Sequence, residues 1–270
     1  MPIIDPTALQ SGFDKFYHYQ PFNASHLKTL LEGKLLYFSD PHAVNDPWDC
    51  KPVFDHRPLL LDLDLREKTI QSFQALQTPE LLAHPLNAIY TEMLRNDDRE
   101  LEEAIVRASK VLGDQMAVRR IYCLTPFPAS TLMWSHYAKN HTGLCLEFDK
   151  HNALIGRARP CRYRKTYPVW TPWSVDDNPL DLVLAKAMDW CYEREFRIIA
   201  SPVSPDWNLR LQGDYVPLPE GALRTIIIGS EAQNTDEIIS VVRQYAPTLE
   251  IKQMRRVRNH YQLEVGEGSL

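Results

Sequence analysis

The stretch FYHYQPFNASHLKTLLEGKLLYFSD, residues 16–40, carries the pattern that decides the fold. Aromatic residues cluster over Phe16, Tyr17, His18 and Tyr19 and stop at Pro21, which reads as a strand. Asn23 or Ser25 is placed to cap the helix that follows, in which Leu27, Leu30 and Leu31 recur at helical spacing and Gly33 marks the stop. Leu35 to Phe38 makes a second strand, closed by the turn Ser39-Asp40-Pro41.

Working outward, residues from about Arg57 to Gly113 change to leucine-rich, charged segments broken at Pro79, Pro85 and Asn96 to Asp98, the pattern of a helical insertion. Strands resume at Arg120 to Leu124. A short helix from about Thr131 to Ala138 leads into the strand Gly143 to Asp149, with Leu144, Leu146 and Phe148 on one face and Cys145 and Glu147 on the other. Pro160 to Asn178 reads as a long loop with one strand around Arg162. Asn178 and Pro179 then open a helix whose Leu184, Ala187, Met188 and Cys191 share a face. Strands follow at Phe196 to Ala200 and Thr225 to Ile228. A helix opened by Asn234 and Glu237 carries the stripe Ile238, Val241, Val242 and Tyr245, and two last strands lie near Leu249 to Val257 and Tyr261 to Val265. Helix-rich and strand-rich blocks without a steady β-α-β rhythm predict an α+β chain, with a mixed or antiparallel central sheet, forming one domain over 1–270 with the insertion at about 57–113.

Thirty Lys and Arg against 35 Asp and Glu give a charge of -5, which provides no long-range attraction to nucleic acid or anionic lipid. The five cysteines show no C-x-x-C spacing, so neither a disulfide framework nor a zinc knuckle is indicated and reduced thiols in a cytoplasm fit best. No basic leader with an apolar stretch opens the chain, and no apolar run of roughly 18 residues occurs, so neither a signal peptide nor a membrane partner is expected. G-x-G-x-x-G, Walker and G-x-S-x-G motifs are missing as well.

Four clusters exceed what packing alone asks for. The loop from Ser39 to Asp49 gathers Asp40, Asn45, Asp46 and Asp49, either as turn formers that bond their own backbone or as a ligand or magnesium site. Met133, Trp134 and Tyr137 read as packing against the sheet, and His136 either as a group that orients or protonates a ligand or as a surface or hydrogen-bonded structural histidine. Two-residue alternation would put Glu193, Glu195 and Arg197 on one strand face, partly desolvated by Trp190, Tyr192 and Phe196, or else as a solvated ion-pair row. Lys252, Arg255, Arg256 and Arg258 read as one exposed strand face.

In order along the chain, FYHY, LLYFSDPHAVNDPWD, LMWSHYAKNHTGLCLEFD and KAMDWCYEREFRII resemble the bacterial family of domain of unknown function 2971, over roughly Phe16 to Gly229. That family usually has Phe-Ser after its cysteine, where this chain has Leu124 and Thr125 after Cys123. A second likeness is to the ADP-ribosyltransferase superfamily, in which an early strand carries His or Arg, a second Tyr or Ser, and a later Glu or Glu-x-Glu completes the site. His18 with Tyr17 or Tyr19, then Tyr37 and Ser39, then Glu193 and Glu195 match in that order.

That likeness implies NAD as the dinucleotide ligand, with no metal, and a protein or nucleic acid as acceptor. Glu195 would stabilise the charged ribose, Glu193 would act on the acceptor, His18 would hold a hydroxyl or phosphate oxygen, and Tyr37 would stack on nicotinamide. Asn45 and Asp46 would close the pocket. Two other readings are a nuclease or phosphodiesterase with Asp40, Asp46, Asp49, Glu193 and Glu195 around magnesium or manganese, and a noncatalytic nucleotide sensor in a phage-defence system.

Overall fold

A computed structural model describes residues 7–51, 53–75, 77–170, 180–204, 206 and 209–270. The first strand, β1 (Lys15–Gln20), is followed by α1 (Ala24–Leu31), β2 (Leu35–Tyr37) and β3 (Val53–Phe54). Five helices come next: α2 (Arg57–Leu61), α3 (Leu63–Ala75), α4 (Pro79–Ala83), α5 (Pro85–Asn96) and α6 (Asp98–Ala117). Then come β4 (Arg120–Leu124), α7 (Thr131–Tyr137), β5 (Leu144–Asp149), β6 (Arg159–Pro160), β7 (Arg162–Arg164) and β8 (Val169–Trp170). The last third holds α8 (Asp181–Leu184), β9 (Ala185–Ala187), β10 (Phe196–Ala200), β11 (Tyr215–Pro217), β12 (Leu223–Ile228), α9 (Thr235–Tyr245), β13 (Glu250–Arg256) and β14 (Leu263–Val265).

The larger sheet is mixed, in the order β1-β5-β12-β13-β14, parallel only at β12–β13, the pair that α9 joins. A smaller antiparallel sheet runs β4-β10-β6. A single bridge, Tyr17 to Thr125, ties the two sheets together, and another, Ser39 to Ile121, ties the end of β2, which pairs with β11, to the smaller sheet. The arrangement is α+β, as the irregular alternation of elements requires.

Alternation along each strand then sorts the core. Leu144, Leu146 and Phe148 join Phe16, Ile226 and Ile228 in the main core, together with Leu27, Leu30 and Leu31 of α1, Ile238 and Val242 of α9, and Tyr122, Leu124 and Ile198 of the smaller sheet. On the opposite face Tyr17, Tyr19, Cys145 and Ile227 pack on Met133 and Trp134 of α7. Each such fully buried aliphatic or aromatic side chain contributes roughly 1.5–3 kcal/mol relative to exposure. The helical block α2–α6 has a core of its own from Leu59, Ile70, Leu94, Leu101 and Ile105.

Asn23 caps α1 by accepting the His26 N–H. At α9 the expected reciprocal cap is replaced by a side-chain bond from Asn234 Nδ2 to Glu237 at 2.9 Å. The basic run does not form one strand face: Arg255 and Arg256 are exposed on opposite faces of β13, Lys252 is half-buried and paired to Glu250, Arg256 pairs with Glu231, and Arg258 lies beyond the strand.

The helix expected over 179–191 is not one helix. One turn at α8 gives way to β9, which pairs in parallel with β7, and then to a 3-10 segment over Met188–Glu193. Its helical periodicity is overridden because Lys186 is drawn into a buried charge cluster and Leu182, Val183 and Leu184 fill a separate core. Asn178 and Pro179 lie outside the described residues, as does much of the expected loop 160–178.

The turn KNHTG that follows α7 stores local strain. Lys139, Asn140 and His141 all take left-handed backbone conformations, with φ of 48°, 54° and 67°. The His141 carbonyl then lies so close to Gly229 that a Cβ there would sit 2.0 Å away, while one on Gly143 would meet the Gln20 carbonyl at 2.4 Å. Gly229→Ala is therefore expected to lose roughly 2 kcal/mol or more of stability, as overpacking against rigid backbone does. A urea midpoint equal to wild type would contradict the close approach.

Candidate functional site

The loop after β2, strand β9, the 3-10 turn at Met188–Glu193 and the start of β10 bring five charged side chains into one buried cluster. Asp49, Lys186, Glu193, Glu195 and Arg197 are all below one-tenth exposed. Arg197, on β10, spends every guanidinium proton. Nε and Nη2 donate to Glu195 at 2.7 and 3.0 Å, Nη1 and Nη2 donate to the two Asp49 oxygens, and Nη1 also reaches the Val183 carbonyl at 2.7 Å. Lys186 donates to Glu195 at 2.7 Å and to Glu193, with its ammonium 5.3 Å from the centre of the Trp190 ring. Tyr137 donates to the other Glu193 oxygen at 2.5 Å.

The convergence of Glu193 and Glu195 comes from a backbone turn rather than from strand alternation. Glu193 ends the 3-10 segment, Arg194 is left-handed at φ 44° and ψ 49°, and the strand starts at Phe196. A non-glycine residue held there costs about 1–2 kcal/mol, which the surrounding bonds offset. Thr125 helps by donating its hydroxyl to the Glu193 carbonyl at 2.7 Å.

The two acids differ electrostatically. Burial would raise the Glu195 pKa, but Arg197 and Lys186 outweigh it and hold this carboxyl well below the usual range. Glu193 is pushed up, by burial first and by the neighbouring Glu195 charge second, against the pull of Lys186. Three carboxylates thus face two cations, and of the two glutamates Glu193 takes up a proton more readily.

This cluster walls one end of a cavity of about 660 Å³, within the usual range for small-molecule sites. His18 lines it too. The His18 ring stacks on Tyr122 with centroids 4.2 Å apart and bonds through Nδ1 to the Cys123 carbonyl at 2.8 Å. Since a carbonyl only accepts, Nδ1 carries the proton and Nε2 is left as an acceptor. Burial lowers the His18 pKa to about 4 despite that bond, so the ring is neutral at pH 7.

A histidine with a lowered folded pKa makes the unfolded chain the better proton binder below 6.5. Its contribution to stability is full above pH 6.5 and is lost as pH falls from there towards 4, by up to about 2–3 kcal/mol. His18→Asn, which keeps a donor for Cys123, is expected to flatten the urea midpoint over that window. An unchanged pH slope would refute a buried neutral imidazole.

Of the other residues singled out by the sequence, Tyr37, Ser39, Asn45, Asp49, His136, Tyr137, Glu193, Glu195 and Arg197 line the same cavity. Asn45 reaches the Tyr137 hydroxyl at 3.5 Å. Asp46 does not close the pocket. It lies buried in its own turn, with Oδ1 accepting the Trp48 N–H, so turn chemistry accounts for it. Asp40 lines the cavity and also caps the short turn at Pro41–Ala43 by accepting the His42 N–H.

Tyr17 and Tyr19 border the cavity, but the pleat commits their hydroxyls elsewhere, to Glu147 at 3.1 Å and to the Phe127 carbonyl at 2.7 Å. Trp134 is fully buried and donates to the Pro128 carbonyl, a packing residue. Lys186 and Tyr122 had not been singled out. A lysine between two alanines beside a helical stripe reads as solvated, and the EREFR run, with two acids against two arginines, gives no hint of a further buried cation.

The expected ion-pair row is thus not a solvated one. Nor do the acids form an open donor set, because each is bonded by the ammonium or the guanidinium. Among the described residues no group of three or more His, Cys, Asp or Glu is arranged to hold a metal ion. No helix among them is long and apolar enough to cross a membrane.

Fold and site together define an α+β protein with a ligand-sized cavity closed at one end by buried, mutually bonded charges. The model of the family DUF2971, described as a protein of unknown function, matches residues 133–167, from α7 past β7. That partial match falls within the stretch whose motifs resemble the family, and it supports that resemblance. No curated protein and no solved structure matches the chain.

Proposed function

We propose that this chain is an ADP-ribosyltransferase-like enzyme that cleaves the nicotinamide–ribose bond of NAD and transfers the ADP-ribosyl group to a protein or nucleic-acid acceptor. The observation that supports it is the shared cavity: His18, Tyr37, Ser39 and the Glu193–Glu195 pair, the residues matched in the superfamily's order, all line it. In this reaction the carbon–nitrogen bond breaks with its electron pair leaving on nicotinamide, whose ring becomes neutral. Positive charge develops on the ribose carbon, and the acceptor's nucleophile closes on it after giving up a proton.

A wall with more carboxylates than cations favours that charge. Glu195, locked between Arg197 and Lys186, serves to hold the cluster in shape. Glu193, with its raised pKa, is the carboxylate suited to take the acceptor's proton. The metal-dependent nuclease reading receives less support, since Asp49, Glu193 and Glu195 are spent on Lys186 and Arg197 and Asp46 lies away from the cavity.

The test is thermal melting with and without oxidised dinucleotide, with mass spectrometry for free nicotinamide. Saturation at a hundred times the dissociation constant adds about 2.7 kcal/mol, roughly a few degrees for a chain of this size. A shift with no nicotinamide would point to a noncatalytic binding module. No shift and no nicotinamide would remove the proposal.

A further inference from the structure

We infer that the cavity receives a planar aromatic ring with the uncharged sugar joined to it, and leaves any phosphate of the ligand outside. This rests on the NAD reading only for the identity of the ring.

Two observations carry it. At one part of the cavity wall, rings from three different elements come together: His26 of α1, Tyr37 of β2 and Tyr215 of β11. His26 and Tyr37 are nearly parallel, 18° apart with centroids at 6.1 Å, and Tyr215 meets Tyr37 edge-on at 5.6 Å. Tyr37 is 45% exposed, so the body of the protein does not cover its ring. Half-open aromatic faces on a cavity wall suit stacking with a flat heteroaromatic ring.

The second observation is charge. Among the described residues, the Lys and Arg that line the cavity are Lys186 and Arg197 alone. Arg197 has spent all five N–H donors on protein acceptors, and Lys186 is enclosed by Glu193, Glu195 and Asp49. The carboxylates on the same wall are Asp40, Asp49, Glu193 and Glu195. The start of α1 also borders the cavity, but Asn23 already takes the His26 N–H. His18, neutral at pH 7, presents an acceptor to the cavity, which matches a hydroxyl donor and opposes an anion. A phosphate drawn inside would lose its water for no counter-charge. A cationic pyridinium ring would find the excess of carboxylate favourable.

Titration calorimetry on the full chain tests this with nicotinamide riboside, its 5′-phosphate, oxidised dinucleotide, adenosine and adenosine 5′-phosphate. The 5′-phosphate is expected to change affinity by less than about threefold, whereas one charge-assisted bond would raise it roughly tenfold or more. Tyr37→Ala is expected to weaken riboside binding about tenfold. His26→Ala, on an exposed helix position, serves as the second variant should Tyr37→Ala fail to fold.

A tenfold gain from the phosphate, or full affinity in both ring variants, overturns the inference even if nicotinamide is released. Binding of a riboside or adenosine that is indifferent to phosphate, with no nicotinamide released from the dinucleotide, upholds it while the NAD-cleaving function falls. If none of the five probes binds, both fall.

Discussion

Glu193→Gln is expected to lower nicotinamide release from NAD by about 10²- to 10⁴-fold while leaving the chain at least as stable as wild type at neutral pH. Glutamine keeps the shape, accepting from Lys186 through its oxygen and meeting the Tyr137 hydroxyl through its amide. It cannot take a proton from an acceptor. The stability half of the expectation follows from the direction of the pKa. A carboxyl raised on folding binds its proton more tightly in the native chain, so wild-type stability falls as pH climbs from the ordinary value of 4.5 through the raised one. The glutamine variant lacks that fall, and urea midpoints at pH 4.5 and pH 8 measure the difference. Unimpaired nicotinamide release would show that Glu193 is no base.

Arg197→Met should cost about 3–5 kcal/mol, the largest stability effect of any single change here, because it leaves three buried carboxylates, Asp49, Glu193 and Glu195, to share the single ammonium of Lys186. Arg197→Lys should recover little. One ammonium cannot reproduce a planar fork that meets two carboxylates and the Val183 carbonyl at once. Removing two of the buried charges as well, in the triple change with Asp49→Asn and Glu195→Gln, is expected to restore part of the loss, since the three act as a unit. Equilibrium urea unfolding of the single and triple variants reads both numbers. A single-variant loss below about 0.5 kcal/mol would mean the guanidinium is not what holds the cluster.

Most of the fold was legible because it is written in local patterns. The strand Arg120–Leu124, the α1 cap at Asn23 and the face-sorting of Leu144, Leu146 and Phe148 each follow from spacing and capping chemistry within a few residues. The segment from Leu180 to Glu195 was misread for the converse reason. Its periodic Leu184, Ala187, Met188 and Cys191 fit a helix locally, and only the long-range pairing of β9 with β7 and the burial of Lys186 decide otherwise.

The site divides in the same way. His18 and the two glutamates stood out by residue type and order along the chain. That Glu195 would be immobilised and Glu193 left as the proton-accepting member depends on Arg197, Lys186 and Tyr137 meeting in space, which no spacing rule reports.

The helical block leaves the sheet region after Phe54 and returns at Arg120 with a core of its own. Its attachment runs through the last turns of α6, where Leu112 and Met116 join Ile121. A segment so self-contained is free to drift in length and composition among relatives without disturbing the charged pocket, so lineages should vary there first. Chimaeras that exchange this block between relatives have a natural pair of splice points at its two stems.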